Sequence, residues 1–497
     1  MRTGRSVVKN TGVLLLGRVL SLGLSVVYVA VLARYIQAAG MGVLATATSL
    51  VSIASLILNF GLNDLSTRDI AADRSRDAAY VPTIMGIRGL LSAVFLLLLV
   101  AVTKWAGYPP ETAAVIYIYA LAYGMDAFAD VCSSVFNAHE RMEFSAAIQT
   151  GRDIINIVLS LAAIALKANL LVIVGVSALA NLVKLAVSLG MLRREFVRAA
   201  LPASLSLGKN LLISALPFAG IALFNVISAQ ADTFILSLYW FAGEVGWYSS
   251  AGSLVSYLLL LPTVFLQAIF PVFSRLHTSS RADLKEAYAA SFKYLLLLGF
   301  ALCAGTLATA DGVISLIYGP GFERSALALR ILGISFLWVF GYANGGLLIA
   351  TGKQNLVTVF SGVAMGMTTL ASVLLIPRWG LLGASVAHIL PGMLFFMPLV
   401  LICHRTLDLH VPYLLGVKAI VASLLMAGAL ALSLERDVHI LIAVFVIAPL
   451  TYGAALMALR VLGRRDAEYL LQLFRRRSPA ESTAESPANS GSDAQAL

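Results

Sequence analysis

Long apolar runs alternate with short polar segments along almost the whole chain, and this pattern predicts membrane-spanning helices. Most runs reach about 20 residues or more, the length that an α-helix needs to cross the hydrocarbon core of a bilayer. The runs predict spans at 11–36, 41–62, 83–103, 113–136, 147–166, 170–192, 211–238, 247–273, 288–311, 326–350, 355–376, 381–403, 414–434 and 438–460. We therefore expect an all-α polytopic membrane protein with about 14 transmembrane helices and with both termini on one side.

Composition excludes the soluble classes of protein. The 497 residues are 60% apolar and 12% charged, and the mean hydropathy is +0.90. Soluble domains are about 45–50% apolar and about 25% charged, so the charge available here cannot cover a water-soluble surface. Cys132, Cys303 and Cys403 all lie inside apolar runs, which gives no sign of a disulfide framework.

The basic residues are distributed unequally between the two sides of the membrane. If both termini face the cytoplasm, the inner segments carry 22 Lys and Arg residues. The outer segments then carry five, which are Lys104, Lys167, Arg324, Arg378 and Arg436. By the positive-inside rule this asymmetry predicts cytoplasmic termini. It also accounts for the net charge of +10 without a nucleic-acid partner.

The two ends of the chain have distinct characters. The run at 11–36 is longer than the apolar core of a signal peptide and contains Arg18, so we interpret it as the first span. Residues 461–477 mix apolar and basic residues and predict a basic interfacial segment. Residues 478–497, rich in Ser, Ala, Glu and Pro, predict a disordered tail.

An internal repeat organises the spans. Residues 28–52 align with 232–256 at an offset of 204, with nine identities in 25. The identical pairs are Leu32/Leu236, Tyr35/Tyr239, Ala38/Ala242, Gly42/Gly246, Ala47/Ala251, Ser49/Ser253, Leu50/Leu254, Val51/Val255 and Ser52/Ser256. The repeat predicts an N-lobe of six helices at 1–200, a C-lobe of six at 205–404, and two further spans at 411–460. Parallel six-helix repeats are typical of transporters that bind substrate between their lobes.

The sequence lacks the motifs of the common enzyme classes. The Gly-Lys pair at Gly352-Lys353 lacks the other residues of a P-loop. The six histidines form neither an HExxH motif nor a close cluster with cysteines or carboxylates. The predicted outer loops are also short, so we expect neither an enzyme nor a cofactor.

Polar side chains inside the spans are the candidate functional groups, because a charge at mid-bilayer costs roughly 2.5–3.5 kcal/mol on insertion scales. Several of them align at helical spacing on neighbouring spans, which predicts a hydrated cavity. The candidate substrate-binding residues are Arg18, Arg88, Arg152, Tyr119, Tyr123 and Asn156. Arginine presents a planar fork of donors suited to phosphate, and tyrosine rings can stack on sugar faces.

The intramembrane carboxylates allow two interpretations. Asp126, Asp130 and Asp232 are candidates for coupling or for charge balance. In the alternative, purely structural interpretation the charges form buried pairs, for example Arg88 with Asp126. Asp232 can bind a coupling H⁺ or Na⁺, or it can pair with Arg330.

Four ordered segments resemble one family. They are 32–71, 231–276, 317–332 (IYGPGFERSALALRIL) and 377–390 (PRWGLLGASVAHIL). Together they are similar to polysaccharide–lipid flippases, the Wzx-like polysaccharide transporter branch of the multidrug/oligosaccharidyl-lipid/polysaccharide exporter (MOP) superfamily. The resemblance covers about residues 8–405.

The resemblance implies two six-helix bundles that form a V around a central cavity and work by alternating access. It implies a cargo as well, a polyprenyl-diphosphate-linked oligosaccharide that is turned from the cytoplasmic to the outer leaflet of a bacterial inner membrane. Arg18, Arg88 and Arg152 would supply the basic cavity residues of the family, and other polysaccharide-assembly proteins would be partners. The first alternative is a cation-coupled drug antiporter of the same superfamily. The second is a membrane glycan polymerase or ligase.

Overall fold

The computed structural model describes residues 2–196, 204–407 and 413–463, and of residues 2–22 it describes the backbone. Within these ranges every regular element is helical. Most of the basic segment predicted at 461–477 and the whole tail predicted at 478–497 lie outside the described residues.

Helices α1 to α6 make up the first part of the chain. They are α1 (Arg2–Asn59), α2 (Leu62–Ala72), α3 (Asp77–Trp105), α4 (Pro110–Ala138), α5 (Met142–Ala165) and α6 (Leu170–Met191). A 3₁₀ turn at Arg74–Arg76 precedes α3, and a π-helical turn at Leu192–Phe196 follows α6. Helix α1 breaks at Gln37, whose φ of 60° is left-handed. The break falls in the gap predicted between the first two spans.

Helices α7 to α13 follow. They are α7 (Leu205–Tyr239), α8 (Ala242–Leu258), α9 (Leu260–Ser279), α10 (Arg281–Ile317), α11 (Glu323–Gly333), α12 (Gly341–Ala350) and α13 (Gln354–Thr406). A 3₁₀ segment, Ile334–Trp338, links α11 to α12. Helix α13 breaks at Gly380, with φ of 53°, which again falls in a predicted gap between two spans.

The described helices confirm an all-α polytopic membrane protein. Ten of them are long and apolar enough to cross a membrane, or up to twelve if two bent pairs each count as one span. Helix α1 has 58 residues, so at 1.5 Å per residue it measures about 87 Å, enough for two crossings of a core about 30 Å thick. Because α1 and α13 are both broken in the middle, the fourteen predicted spans are compatible with these helices.

Helix α7 connects the two lobes. Its first half packs with α2 and α3, and Leu211 and Ala215 belong to one apolar cluster with Leu62 and Phe136. The helix then bends by 50° between Gly220 and Ala222, and its second half packs against α13. The sequence assigned all of 205–404 to the C-lobe, whereas the packing changes lobe inside α7. The reason is that the first turns of α7 carry apolar side chains that fill the N-lobe core.

The end of the chain forms a second unit, of which the structure describes residues 413–463. Its described part contains α14 (Tyr413–Glu435), the single turn α15 (Ile440–Ile442), a π-helical turn (Ala443–Ile447) and α16 (Ala448–Ala458). Helices α14 and α16 pack against each other. They correspond to the last two predicted spans.

Candidate functional site

A cavity of about 500 Å³ lies between the lobes. Helix α1 forms its N-lobe wall with Met41, Leu44, Ala45 and Thr48. Helices α7 and α8 form most of the C-lobe wall. The polar side chains of the lining are Thr48, Gln230, Thr233, Tyr248, Ser249, Ser253, Ser256, Tyr257 and His388. Among the described residues that line the cavity, none is Lys, Arg, Asp or Glu, so the surface is rich in hydroxyls and, His388 apart, neutral.

The two copies of the repeat contribute unequally to this surface. Ser253 and Ser256 of the second copy line the cavity. Their equivalents in the first copy do not: Ser49 is fully buried and donates to the Thr46 carbonyl at 3.0 Å, and the Ser52 hydroxyl lies 3.2 Å from the Tyr123 hydroxyl. The cavity lining is therefore mainly a product of the C-lobe.

A buried carboxylate lies directly behind the cavity wall. Asp232 is 3% exposed. Its Oδ1 accepts a hydrogen bond from the Ser372 hydroxyl. Its Oδ2 accepts one from the Tyr248 hydroxyl at 3.1 Å and lies 3.0 Å from His388 Nδ1. The predicted pairing with Arg330 does not form, because Arg330 lies against Asp311 instead.

Sequence reasoning missed His388. It was considered only as a possible metal ligand, and in the described part of the chain no group of three or more His, Cys, Asp or Glu residues is placed to hold a metal. The signal was nevertheless present, since His388 is a titratable residue within a predicted span. The contact between His388 and Asp232 depends on the break in α13 and on the packing of α13 beside α7, which the sequence does not show.

The N-lobe carboxylates form a charged cluster within their own lobe. Lys184 Nζ on α6 lies 2.6 Å from Asp126 Oδ1 and 3.2 Å from Asp130 Oδ1, both on α4. The lysine side chain is 5% exposed, and each aspartate side chain is about a third exposed. The cluster binds α4 to α6, and it explains why the predicted pair of Arg88 with Asp126 is wrong.

Arg152 and Asn156 extend this polar network along α5. Arg152 Nε donates to Asn181 Oδ1 at 2.7 Å, and its NH1 group lies 3.0 Å from Asp153 Oδ1. Asn156 Oδ1 accepts a hydrogen bond from the Ser177 hydroxyl at 3.0 Å. Both candidates therefore make contacts between α5 and α6, and neither lines the cavity between the lobes.

The remaining candidates lie in the N-lobe as well. Arg88 is fully buried; its NH2 group donates to Asn63 Oδ1, whereas Nε and NH1 have no hydrogen-bond partner among the described residues. Tyr119 and Tyr123 pack against the apolar N-lobe core. The side chain of Arg18 lies outside the described residues. The structure thus distributes Arg88 and Arg152 within one lobe and does not bring them together on the cavity surface.

A profile described as "Polysaccharide biosynthesis protein" matches residues 7–277, just over half of the chain. The chain belongs to the polysaccharide biosynthesis protein family. The teichuronic acid biosynthesis protein TuaB of Bacillus subtilis (strain 168) is 26% identical over 179 residues, which cover 34% of this family member and 37% of TuaB. The capsular polysaccharide biosynthesis protein CapF of Staphylococcus aureus is 26% identical over 140 residues, which cover 27% and 35%. The chain thus aligns with little more than a third of the length of these curated relatives.

Solved transporter structures share the fold of this family member. A structure of the lipid II flippase MurJ in an inward closed conformation matches with a TM-score of 0.74 and 12% identity, covering 93% of this chain and 98% of that chain. An inward-facing multidrug resistance MATE family transporter of the MOP superfamily matches with a TM-score of 0.59 and 17% identity, covering 78% and 94%. At these identities the likeness concerns the fold. The predicted transporter fold is confirmed.

Proposed function

We propose that this member of the polysaccharide biosynthesis protein family is a flippase. Its cargo would be a polyprenyl-diphosphate-linked oligosaccharide, moved by alternating access from the cytoplasmic to the outer leaflet of a bacterial inner membrane. The family and the transporter fold support a role in lipid-linked glycan transport. The observation that carries the finer proposal is the neutral, hydroxyl-rich cavity between the lobes.

Such a lining suits a sugar better than it suits an ion. Hydroxyl and amide side chains both donate and accept hydrogen bonds, as the hydroxyls of a glycan do. Seven of the lining side chains are hydroxyls, and Gln230 adds an amide. The volume of about 500 Å³ falls in the ordinary range of small-molecule sites, about 300–1,000 Å³. The sugar part of the cargo would therefore occupy the cavity while the polyprenyl chain stays in lipid.

The diphosphate needs positively charged partners, because a charge that leaves water without partners is strongly destabilised. Arg88 is our first candidate, since two of its three nitrogen groups have no partner among the described residues. Arg18 and Arg152 are the other two candidates. In this proposal the arginines act when the lobes move and the N-lobe interior becomes accessible to the headgroup.

The same cavity lining weakens the antiporter alternative. A cationic drug calls for carboxylates in the binding surface, whereas Asp126 and Asp130 are paired with Lys184. Asp232 lies behind the wall and is bound by Tyr248 and Ser372. The described lining therefore offers a cation no carboxylate.

A coupling ion is a further part of the proposal. Asp232 and His388 can share one proton across their 3.0 Å contact, and His388 and Tyr248 both reach the cavity. Protonation of this pair would thus be felt directly at the cavity wall. We propose H⁺ in preference to Na⁺, because an imidazole nitrogen already occupies one side of the carboxylate. Asp126 and Asp130 are assigned to charge balance.

The proposed orientation places both termini in the cytoplasm, as the charge asymmetry predicts. The breaks at Gln37 and Gly380 and the loop from Tyr318 to Phe322 then lie on the outer side. Partners would be the enzymes that build the lipid-linked cargo and those that consume it after transport.

Deletion of the gene in its own host tests the function. We expect loss of the surface polysaccharide and accumulation of its lipid-linked precursor, both restored by the wild-type protein. Arg88→Met keeps the length of the side chain and removes its charge, so it should restore little transport at equal membrane abundance. Arg141→Met, at an exposed position, is the matched control and should restore it fully.

Two results would separate the parts of this proposal. Normal surface glycan in the deletion strain, together with altered resistance to cationic drugs, would replace the flippase by the antiporter. Full restoration by Arg88→Met would remove this arginine from the mechanism and leave the flippase assignment in place.

A further inference from the structure

The backbones of the two lobes come into contact where α1 crosses α8. A Cβ atom on Gly42 would lie 1.6 Å from the Ala242 carbonyl oxygen, and a Cβ atom on Gly246 would lie 1.8 Å from the Ala38 carbonyl oxygen. Real Cβ atoms do not come closer than about 3 Å to such an atom. Only glycine at both positions allows the two backbones to touch, as small residues do at close helix crossings in membranes.

The crossing joins equivalent positions of the internal repeat. Gly42 corresponds to Gly246, and Ala38 corresponds to Ala242. Each glycine meets the alanine carbonyl of the other copy, so the contact is reciprocal. The four small residues that the two copies of the repeat share therefore form one contact between the lobes, which neither copy could form alone.

Other contacts between the lobes surround this crossing. Arg34 Nε on α1 donates to the Ile317 carbonyl at 3.2 Å, and its NH2 group donates to the Leu316 carbonyl. These carbonyls end α10, where a positive charge is favoured by the helix dipole. The Tyr108 hydroxyl lies 2.8 Å from the Ser237 hydroxyl. Burial raises the pKa of Tyr108, so its hydroxyl keeps its proton at neutral pH.

The crossing lies immediately next to the cavity. Along α1, Leu44 and Thr48 follow Gly42 within two turns and line the cavity; along α8, Ser249 and Ser253 follow Gly246 in the same way. The break at Gln37, the C-terminal end of α10 and the loop that leads into α11 lie on the other side of the crossing. The contact therefore stands between the cavity and the side of the membrane that the proposed orientation makes the outer one.

We propose that the crossing of α1 and α8 at Gly42 and Gly246 is the outer gate of this transporter, and that Arg34 is its latch. The gate closes the cavity toward the outside and has to separate before cargo can leave. The inference rests on the proposed transport function and orientation. Arg34 has no counterpart in the second copy, where Leu238 stands at the equivalent position, so the latch belongs to one lobe only.

Cysteine labelling of the cavity tests the gate. The reporter is Ser253→Cys, in a protein whose Cys132, Cys303 and Cys403 are replaced by alanine. A membrane-impermeant maleimide is applied to intact cells and, separately, to inverted membrane vesicles. We expect the otherwise unchanged protein to be protected from outside and labelled in inverted vesicles.

Variants that wedge the crossing should reverse the protection. With Gly42→Ala or Gly246→Ala the closed state cannot form, so labelling from outside should rise at least about tenfold, the change produced by 1.4 kcal/mol in a two-state equilibrium. Gly23→Ala is the matched control on α1, because a Cβ atom there meets nothing within 4 Å; it should leave the labelling unchanged. Arg34→Leu leaves the backbones free to touch and should raise labelling by a few-fold.

The outcomes distinguish the gate from the orientation. Labelling of the wedged variants at the unchanged rate would overturn the gate. If the glycine variants failed to reach the membrane, an unchanged rate in Arg34→Leu would overturn it. If the protein with unmodified glycines were labelled from outside and protected in vesicles, the proposed orientation would be wrong. The gate would then stand on the cytoplasmic side, provided that the wedges raised labelling in vesicles.

Discussion

The two lobes share a repeat in sequence, yet they use polar side chains in opposite ways. The N-lobe uses its charges to join its own helices: Lys184 contacts Asp126 and Asp130, and Arg152 donates a hydrogen bond to Asn181. The polar side chains of the described C-lobe cavity wall are hydroxyls, one amide and His388, with a carboxylate one layer behind. In this protein an intramembrane charge therefore marks where a lobe is held together more often than where the cargo would bind.

Removing the N-lobe lysine tests this contrast with the largest expected effect. Lys184→Met leaves two neighbouring carboxylates without their partner. We expect the free energy of unfolding to fall by about 2 kcal/mol, less than the 3–5 kcal/mol of a fully buried pair because the aspartates are a third exposed. Thermal unfolding in detergent measures it, and Lys104→Met at an exposed position is the control.

The same cluster allows a rescue. Adding Asp126→Asn and Asp130→Asn to Lys184→Met removes the unpaired charge and should restore most of the stability together with transport. A stable triple variant that no longer transports would contradict the comparison, because the N-lobe charges would then act on the cargo or on coupling.

Neutralising the C-lobe carboxylate should alter transport more than stability. Asp232 faces Tyr248 from α8 and Ser372 and His388 from α13. Asp232→Asn keeps an oxygen acceptor, so stability should change by less than about 1 kcal/mol. We expect transport to fall several-fold and to lose its dependence on external pH, because the shared proton is gone. Asp126→Asn is the control, and a pH dependence abolished by it instead would move coupling to the N-lobe.

The sequence predicted the helices well for a simple physical reason. Each span has to satisfy its own backbone hydrogen bonds in lipid, so length and hydropathy almost determine it. Even the breaks at Gln37 and Gly380 fall in predicted gaps. The change of lobe inside α7 was not predictable in this way, because it depends on which neighbour the apolar face of Leu211 and Ala215 meets.

The site was predicted less well, because spacing along one helix does not say what that helix faces. The sequence allows Arg88 to pair with Asp126, whereas in the structure Lys184 contacts the Asp126 carboxylate. Ser253 and Ser256 belong to the repeat alignment, but the sequence does not mark them as cavity residues, since serine is common in membrane helices and carries no charge. Gly42 and Gly246 appeared in the repeat alignment, but their reciprocal contact is visible only once the lobes are assembled.

Two serines at equivalent repeat positions give the smallest test, and the one that isolates the comparison best. Ser253 lines the cavity and donates to the Ser249 carbonyl at 2.8 Å, which leaves its lone pairs available to a sugar hydroxyl. Ser49 makes the same kind of bond to Thr46 but is fully buried. One neutral hydrogen bond contributes about 1 kcal/mol, so Ser253→Ala should lower transport about fivefold at limiting expression without changing stability. Ser49→Ala should change the free energy of unfolding by no more than about 1 kcal/mol and leave transport intact.

Surface glycan and unfolding temperature, measured for both variants at equal abundance, check the pair. Equal effects of the two variants on transport would mean that the lobes share the cargo surface after all, since the substitution is the same and only the exposure of the hydroxyl differs.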